Sequence, residues 1–109
     1  MSYSVLTISP FDKQLKRLAK KYPSIAGDYL DLIESLEEDP FQGDALGNNC
    51  YKIRWAIRSK GKGKRGGARV IANVVIVHST VYLLSVYDKS EQTSLTDKEL
   101  QNLLGQVPQ

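Results

Sequence analysis

The chain has 109 residues, 41% of them hydrophobic, and a formal net charge of +3. This length predicts one domain spanning residues 1–109, and the lack of any run of about 18 apolar residues argues against a membrane span. With a single cysteine, a single histidine and no signal-peptide pattern, we expect a cytoplasmic protein that has no disulfide framework and needs no metal or other cofactor.

The amino-terminal part of the chain predicts a strand followed by two helices. Residues 4–8 are short and partly β-branched, which is typical of an edge strand. Ser9 is the expected N-cap of a helix over residues 10–22, because apolar residues there recur at helical spacing. The same spacing predicts a second helix that ends at Asp39. One helix is basic outside and the other acidic, so we expect an antiparallel hairpin with loose charge pairing.

The hydrophobic period changes from 3.6 to 2 in the middle of the chain. Residues 41–49 are rich in glycine and asparagine and predict a turn-rich connection. From Tyr51 onward, apolar residues alternate with Lys52, Arg54 and Arg58, which predicts a strand with one apolar and one cationic face. Residues 59–67, Ser-Lys-Gly-Lys-Gly-Lys-Arg-Gly-Gly, predict a flexible, strongly positive loop.

The carboxy-terminal part predicts a hairpin and a last helix. Two nearly continuous apolar runs, residues 69–77 and 81–87, are typical of central antiparallel strands, with His78 in the turn between them. Thr96 and Glu99 form a capping-box pattern that predicts a short helix. The fold class is therefore α+β: an N-terminal strand and a helical hairpin packed on a mainly antiparallel sheet, with a short C-terminal helix.

The charges are segregated along the chain. Between Ala45 and Tyr87 there is no Asp or Glu. The same stretch contains eight cations, namely Lys52, Arg54, Arg58, Lys60, Lys62, Lys64, Arg65 and Arg69. This pattern indicates a polyanionic partner, with a solvated loop of chance composition as the alternative. If the strands pair, their cations share one sheet face, opposite the helices, and such a face suits a phosphate backbone.

A cationic sheet face can support RNA cleavage without a metal or a histidine. The 2′-hydroxyl attacks the adjacent phosphorus while a base takes its proton, cations stabilise the phosphorane, and an acid protonates the departing 5′ oxygen. A Lys or Tyr crowded by cations has a lowered pKa, which suits proton transfer near neutral pH. The segment Tyr87-Asp88-Lys89-Ser90-Glu91 carries such groups; the alternative is a strand end that runs into a polar turn.

Several segments together resemble one toxin family. They cover nearly the whole chain in the expected order, and the glycine-rich basic segment is the most specific of them. The resemblance is to the HigB-like branch of the RelE/ParE toxin superfamily, and it lies in residues 15–23, in Tyr51-Lys52-Ile53-Arg54, in residues 59–71 and in Tyr87-Asp88-Lys89-Ser90-Glu91.

The resemblance implies a RelE-like fold and a toxin of a type II toxin–antitoxin pair. RelE- and HigB-like members cleave messenger RNA in the ribosomal A site without a metal, leave a 2′,3′-cyclic phosphate and arrest translation. The implied partners are the ribosome, mRNA and a protein antitoxin, often of helix-turn-helix type, through which alone operator DNA would be contacted. No membrane partner is implied.

The resemblance also implies roles for individual residues. Lys52, Arg54 and Arg69 correspond to the family's phosphate clamps, and Lys89 and Tyr87 to its basic and aromatic residues after the last strand. Cations that would bind RNA are Arg58, Lys60, Lys62, Lys64 and Arg65.

The identity of the general base stays open at this point. Some family members use a C-terminal tyrosine or histidines, but this chain has no tyrosine after Tyr87, and its one histidine is His78. Tyr87 and Glu91 are therefore the candidates. Two other functions also stay open: a ParE-like inhibitor of DNA gyrase without nuclease activity, and a non-catalytic RNA-binding module. The cationic strand face favours the nuclease.

Overall fold

The structure, a computed structural model, describes residues 2–61 and 63–108, without the side chains of Lys64 and Arg65. Within these residues, five strands and four α-helices follow one another. In order they are β1 (Ser4–Thr7), α1 (Ser9–Lys21), α2 (Ile25–Glu38), β2 (Asp44–Gly47), β3 (Cys50–Trp55), α3 (Gly63–Gly66), β4 (Ala68–Val75), β5 (Thr80–Asp88) and α4 (Asp97–Leu104). Short 3-10 turns precede α3 and β5, at Arg58–Lys60 and Ile76–His78.

The five strands form one sheet in the order β1-β5-β4-β3-β2. Three of its four strand pairs are antiparallel, and β1 pairs with β5 in parallel, with Ser4 opposite Thr80. The predicted edge strand and central hairpin are therefore confirmed. Because β4 and β5 lie inside the sheet, their nearly continuous apolar runs are buried on both faces.

Helices α1 and α2 cover one face of the sheet and form the larger core with it. Phe11, Leu18, Leu32 and Leu36 from the helices pack against Trp55 and its neighbours on the strands. The period-2 alternation of β3 puts its apolar side chains on this face, as the sequence predicts. Helix α1 begins one residue earlier than predicted: Ile8 is its N-cap, and Ser9 is already helical.

Helix α4 covers part of the opposite face and forms a second, smaller core. Leu100 and Val107 pack there with Cys50, Ile71 and Leu84. Thr96 accepts from the backbone N–H of Glu99, whose carboxylate accepts from that of Thr96, so the predicted capping box is confirmed. The rest of this face, toward the carboxyl end of β5, is left for polar side chains.

Two segments differ from the prediction. Residues 44–47 of the expected turn-rich connection form β2, paired with the first half of β3. The expected flexible loop contains a 3-10 turn at Arg58–Lys60 and the one-turn helix α3. Pairing with β3 orders the first segment, and contacts with β3 and β5 order the second, although the composition of each favours a loop.

The charge pairing expected between α1 and α2 is also wrong. In the described part of the chain, ion pairs from α1 reach Asp88 and Glu91 beyond β5, and those from α2 reach Arg58. The apolar stripes therefore hold the two helices to the sheet. Across residues 2–61 and 63–108, none of the helices is long and apolar enough to cross a membrane.

Candidate active site

Three adjacent strands bring polar side chains into one row across the sheet. Arg54 on β3 lies opposite Arg69 on β4, and Arg69 lies opposite Tyr87 on β5. All three point to the face that carries the second core, because the residue before each of them, Ile53, Ala68 or Val86, belongs to the larger core. The prediction that Arg54 and Arg69 share a face is therefore confirmed.

A cavity of about 140 Å³ lies beside this row. Lys52 lies two positions before Arg54 on β3, and its Nζ donates to the carbonyl oxygen of Thr93 at 3.1 Å. Arg54 and Lys89 are exposed, so their charged groups face the solvent. The residues that line the cavity are Asp44, Lys52, Arg54, Arg69, Lys89 and Thr93.

Arg69 is the most enclosed cation of the site, with 6% of its surface exposed. One of its guanidinium nitrogens donates to the carbonyl oxygen of Ala68 at 3.1 Å. A buried guanidinium keeps its positive charge beside the cavity, which suits recognition of a phosphate.

Tyr87 is buried, and its hydroxyl donates to the carbonyl oxygen of Thr93 over a long 3.4 Å. Burial raises the pKa of Tyr87, and the nearby Arg69 only partly offsets this. The expectation that surrounding cations would lower this pKa is therefore wrong, because loss of hydration outweighs the one adjacent positive charge. Tyr87 is a neutral hydrogen-bond donor near pH 7.

Two of the predicted site residues lie elsewhere. The strand alternation ends at Trp55, and Arg58 turns toward α2, where its guanidinium pairs with Asp31 and its Nε lies 3.6 Å from Asp28. Glu91 lies on the α1 side, with Oε2 3.5 Å from Arg17 and Oε1 3.4 Å from Lys21. Neither lines the cavity beside Arg69, so the expected position of both is wrong.

The basic segment contains one enclosed cation and three cations whose side chains lie outside the described part of the structure. Lys60 was expected to project toward RNA, but its side chain is only 8% exposed and pairs with Asp88 at 2.5 Å. Lys62 lies outside the described residues, as do the side chains of Lys64 and Arg65, so their predicted contact with RNA stays a prediction.

Two carboxylates near the site were not singled out from the sequence. Asp44 on β2 lies opposite Lys52 and lines the cavity. Its signal was its position as the last acid before the acid-free stretch. The second carboxylate is Asp88, whose side chain is fully enclosed on the α1 side. Its signal was its place between Tyr87 and Lys89.

Asp88 is ionised despite its burial. Burial alone would raise the pKa of Asp88, but hydrogen bonds from Lys60, Tyr22 and Ser90 hold it well below the usual range. The Tyr22 hydroxyl donates to Oδ2 at 2.6 Å, and Ser90 donates to Oδ1 through its backbone N–H at 2.9 Å and its hydroxyl at 2.8 Å.

The described residues contain no group of three or more His, Cys, Asp or Glu side chains that could hold a metal ion. The site consists of four cations, one carboxylate and the hydroxyl-bearing Thr93 around a small cavity. Such a set can bind an anion and stabilise negative charge that develops on it.

The architecture matches solved structures of RelE toxins, although no family model matches the sequence. A free double arginine-to-alanine variant of toxin RelE from E. coli aligns over 99% of this chain and 100% of its own, with 15% identity and a TM-score of 0.65. The toxin–antitoxin complexes RelBE2 from Mycobacterium tuberculosis and RelBE from E. coli each align at 18% identity and a TM-score of 0.60. These two alignments cover 81% and 80% of this chain, and 92% and 96% of the matched chains.

The protein therefore has the RelE-like toxin fold, an α+β fold with helices on a five-stranded mixed sheet. The identities of 15–18% establish the fold alone. Assignment to the HigB-like branch stays a prediction.

Proposed function

We propose that the protein is the toxin of a type II toxin–antitoxin pair and cleaves messenger RNA on the ribosome. The observation that carries the proposal is the row of Arg54, Arg69 and Tyr87 across three strands, with Lys52 and Lys89 at the same cavity. The RelE-like fold supports the same conclusion, because solved proteins of this fold include toxins in the free state and in complex with antitoxins.

The cations account for stabilisation of the transition state. Attack of the 2′ oxygen forms a new bond to phosphorus and places two negative charges on the phosphorane. Arg69 and the exposed Arg54 lie opposite each other and place their positive charges beside these oxygens. Cleavage of the bond from phosphorus to the 5′ oxygen then leaves a 2′,3′-cyclic phosphate and a 5′-hydroxyl.

The proton transfers need an acceptor and a donor at the same cavity. Asp44 is the carboxylate in its lining and accepts the 2′ proton in our scheme. Lys89 lines the cavity with an exposed ammonium group and donates to the departing 5′ oxygen. Tyr87 lies opposite Arg69 in the row but does not line the cavity, and burial raises its pKa further above neutrality, so our scheme gives it no proton transfer.

A protein antitoxin is the proposed regulator. The solved complexes of similar fold contain toxin and antitoxin together. A segment that covered the Arg54–Arg69 row would exclude RNA from it, and acidic residues in that segment would complement the charge of this face.

The first experiment is induction of the chain in a bacterium, followed by mapping of mRNA 5′ ends. We expect cuts inside translated reading frames. Because removal of one charge-stabilising donor costs ~2.7–4 kcal/mol in the transition state, Arg69→Ala should slow cleavage by roughly 10²–10³-fold.

Two further variants control this experiment. Arg54→Ala removes an exposed cation of the row without disturbing the core, and it should also slow cleavage. Lys13→Ala removes one exposed charge from α1 and should leave cleavage unchanged. Growth arrest with intact mRNA and an induced DNA-damage response would instead establish the gyrase-inhibitor function. RNA binding with neither cleavage nor growth arrest would leave the non-catalytic module.

A further inference from the structure

Lys60 uses all of its hydrogen-bonding capacity inside the protein. Its ammonium group donates to the carbonyl oxygen of Gly66 at 2.6 Å, to Oδ1 of Asp88 at 2.5 Å and to the carbonyl oxygen of Gly67 at 3.4 Å. A lysine has three donors, and here each has an acceptor within the fold. With 8% of its side chain exposed, Lys60 is closed to a phosphate group even though it begins the basic segment.

These acceptors belong to two chain segments that lead directly into the site. Gly66 and Gly67 immediately precede β4, where Arg69 is the second residue. Asp88 ends β5 and lies between Tyr87 and Lys89. The backbone N–H of Lys89 also donates to the carbonyl oxygen of Gly67 at 3.2 Å, so the two segments are joined at this point.

A buried ion pair is a poor source of stability by itself. Desolvation of both charges offsets most of their attraction, and apolar pairs of similar volume are often equally stable. What the pair supplies is a fixed geometry, because short charge-assisted hydrogen bonds set the distance between the groups that they connect. In this protein the connected groups are the start of β4 and the end of β5.

We infer that Lys60 and Asp88 are positioning residues of the site. They hold Arg69, Tyr87 and Lys89 in a single arrangement. The inference rests on the proposed function, since it concerns the same site. It removes Lys60 from the set of RNA-contacting residues and gives Asp88 a role that depends on its enclosed position.

The test compares binding with catalysis in programmed ribosomes that carry a defined mRNA. Lys60→Met is measured for its single-turnover cleavage rate and for the ribosome concentration that gives half of that rate. Displacement of catalytic groups by about 1 Å lowers rates by roughly 10²-fold, so we expect the rate to fall by about 10- to 100-fold while half-saturation changes by less than about two-fold.

Two controls guard against unfolding and against a simple loss of charge. The double variant Lys60→Met/Asp88→Asn leaves no unpaired buried charge. We expect its rate to equal that of Lys60→Met, because the Lys60–Asp88 pair is already lost in the single variant. Lys13→Met makes the same chemical change on exposed α1 and should cleave like the unchanged protein.

Hydrogen exchange of the Lys89 amide gives a readout that does not depend on cleavage. If the Lys60–Asp88 pair holds these segments together, the Lys89 amide of Lys60→Met should lose protection from exchange. The amide of Val70, in the centre of the sheet, should keep its protection. A raised half-saturation with an unchanged rate would make Lys60 an RNA-contacting residue and overturn the inference, as would unchanged protection at Lys89. Unmodified protein that leaves mRNA intact would overturn the proposed function. Exchange at Lys89 would still decide whether the Lys60–Asp88 pair holds the two segments together.

Discussion

At the scale of single residues, Asp88 shows how a buried charge makes folding depend on pH. Its folded-state pKa lies below the usual range, because the hydrogen bonds that it accepts from Lys60, Tyr22 and Ser90 outweigh the opposite effect of burial. The unfolded chain has an ordinary carboxyl with a pKa of about 4. The ionised form is therefore favoured by folding, and its contribution to stability is complete above this value and lost progressively as the pH falls below it.

We expect Asp88→Asn to weaken the fold most near neutral pH. Removal of one partner from a buried pair costs about 3–5 kcal/mol, so the variant should be less stable at pH 7 by an amount of this order. At pH 3.5 the difference from the unchanged protein should be smaller. Urea unfolding at pH 7, 5 and 3.5 measures the free energy of unfolding of the variant and of the unchanged protein.

Glu34→Gln serves as the control for this measurement, since Glu34 is an exposed carboxylate on α2. Its effect should be small at every pH. A difference between Asp88→Asn and the unchanged protein that is equally large at pH 3.5 and pH 7 would contradict the assigned pKa direction.

Sequence patterns could predict the site-face positions of Lys52 and Arg54 but not which cations pair with acids elsewhere in the fold. Lys52 and Arg54 followed directly from period-2 alternation in β3. Lys60 and Arg58 did not, because their acceptors Asp88 and Asp28 lie 28 and 30 positions away along the chain. Burial of a lysine is set by a partner that only the tertiary structure brings near.

At the scale of elements, the junction between α3 and β4 depends on a glycine at position 67. A Cβ atom there would lie 2.1 Å from the carbonyl oxygen of Trp55, on the neighbouring strand β3. The backbone at this point is therefore closer to β3 than any other residue type allows. Since Gly67 also accepts from the Lys89 amide, the close approach brings the ends of β3, β4 and β5 together.

We expect Gly67→Ala to destabilise the protein by about 1–3 kcal/mol, because the added methyl group forces the backbone of β4 away from β3. Gly27→Ala makes the same change within helix α2, where the nearest atom to the new Cβ is 3.9 Å away. That variant should gain about 0.5–1 kcal/mol from better helix propensity. Thermal unfolding of the two variants should give shifts of opposite sign, and shifts of the same sign would contradict the predicted contact.

The elements with strong periodic signals were predictable, and the short ones were not. Thr96 and Glu99 predicted α4, because the two residues of a capping box lie close together in sequence. Strand β2 has four exposed residues and therefore no alternation of apolar and polar positions. It is defined only by its pairing with β3, so composition favoured a turn-rich connection there.

At the scale of the whole molecule, two groups of cations among the described residues lie on separate surfaces. One is the row of Arg54 and Arg69 with Lys89, on the face shared with α4. The other is the outer side of α1, where Lys13, Lys16 and Lys20 are exposed. A cavity lies between the cations of the first group, so the proposed function assigns the phosphate contacts to this group.

Salt dependence distinguishes the two surfaces. The logarithm of affinity falls with the logarithm of salt concentration, and each lost phosphate contact makes this slope less steep by about 0.7–1. We expect this decrease for Arg54→Ala and no change for Lys13→Ala. The affinity is measured on programmed ribosomes with mRNA that carries a 2′-deoxy nucleotide at the cleavage position, because this RNA lacks the attacking hydroxyl. Equal slopes for the two variants would mean that the cation row makes no phosphate contact.

The parallel pairing of β1 with β5 also determines when the fold can be completed during synthesis. Ser4 has its partner at Thr80, so the first strand stays unpaired until β5 has been translated. Helices α1 and α2 can form early, but the sheet that buries their apolar stripes needs β3, β4 and β5. Contacts between residues so distant in sequence slow folding. The row of Arg54, Arg69 and Tyr87 needs β3, β4 and β5 to pair, so the proposed site can form only after residue 87 has been translated.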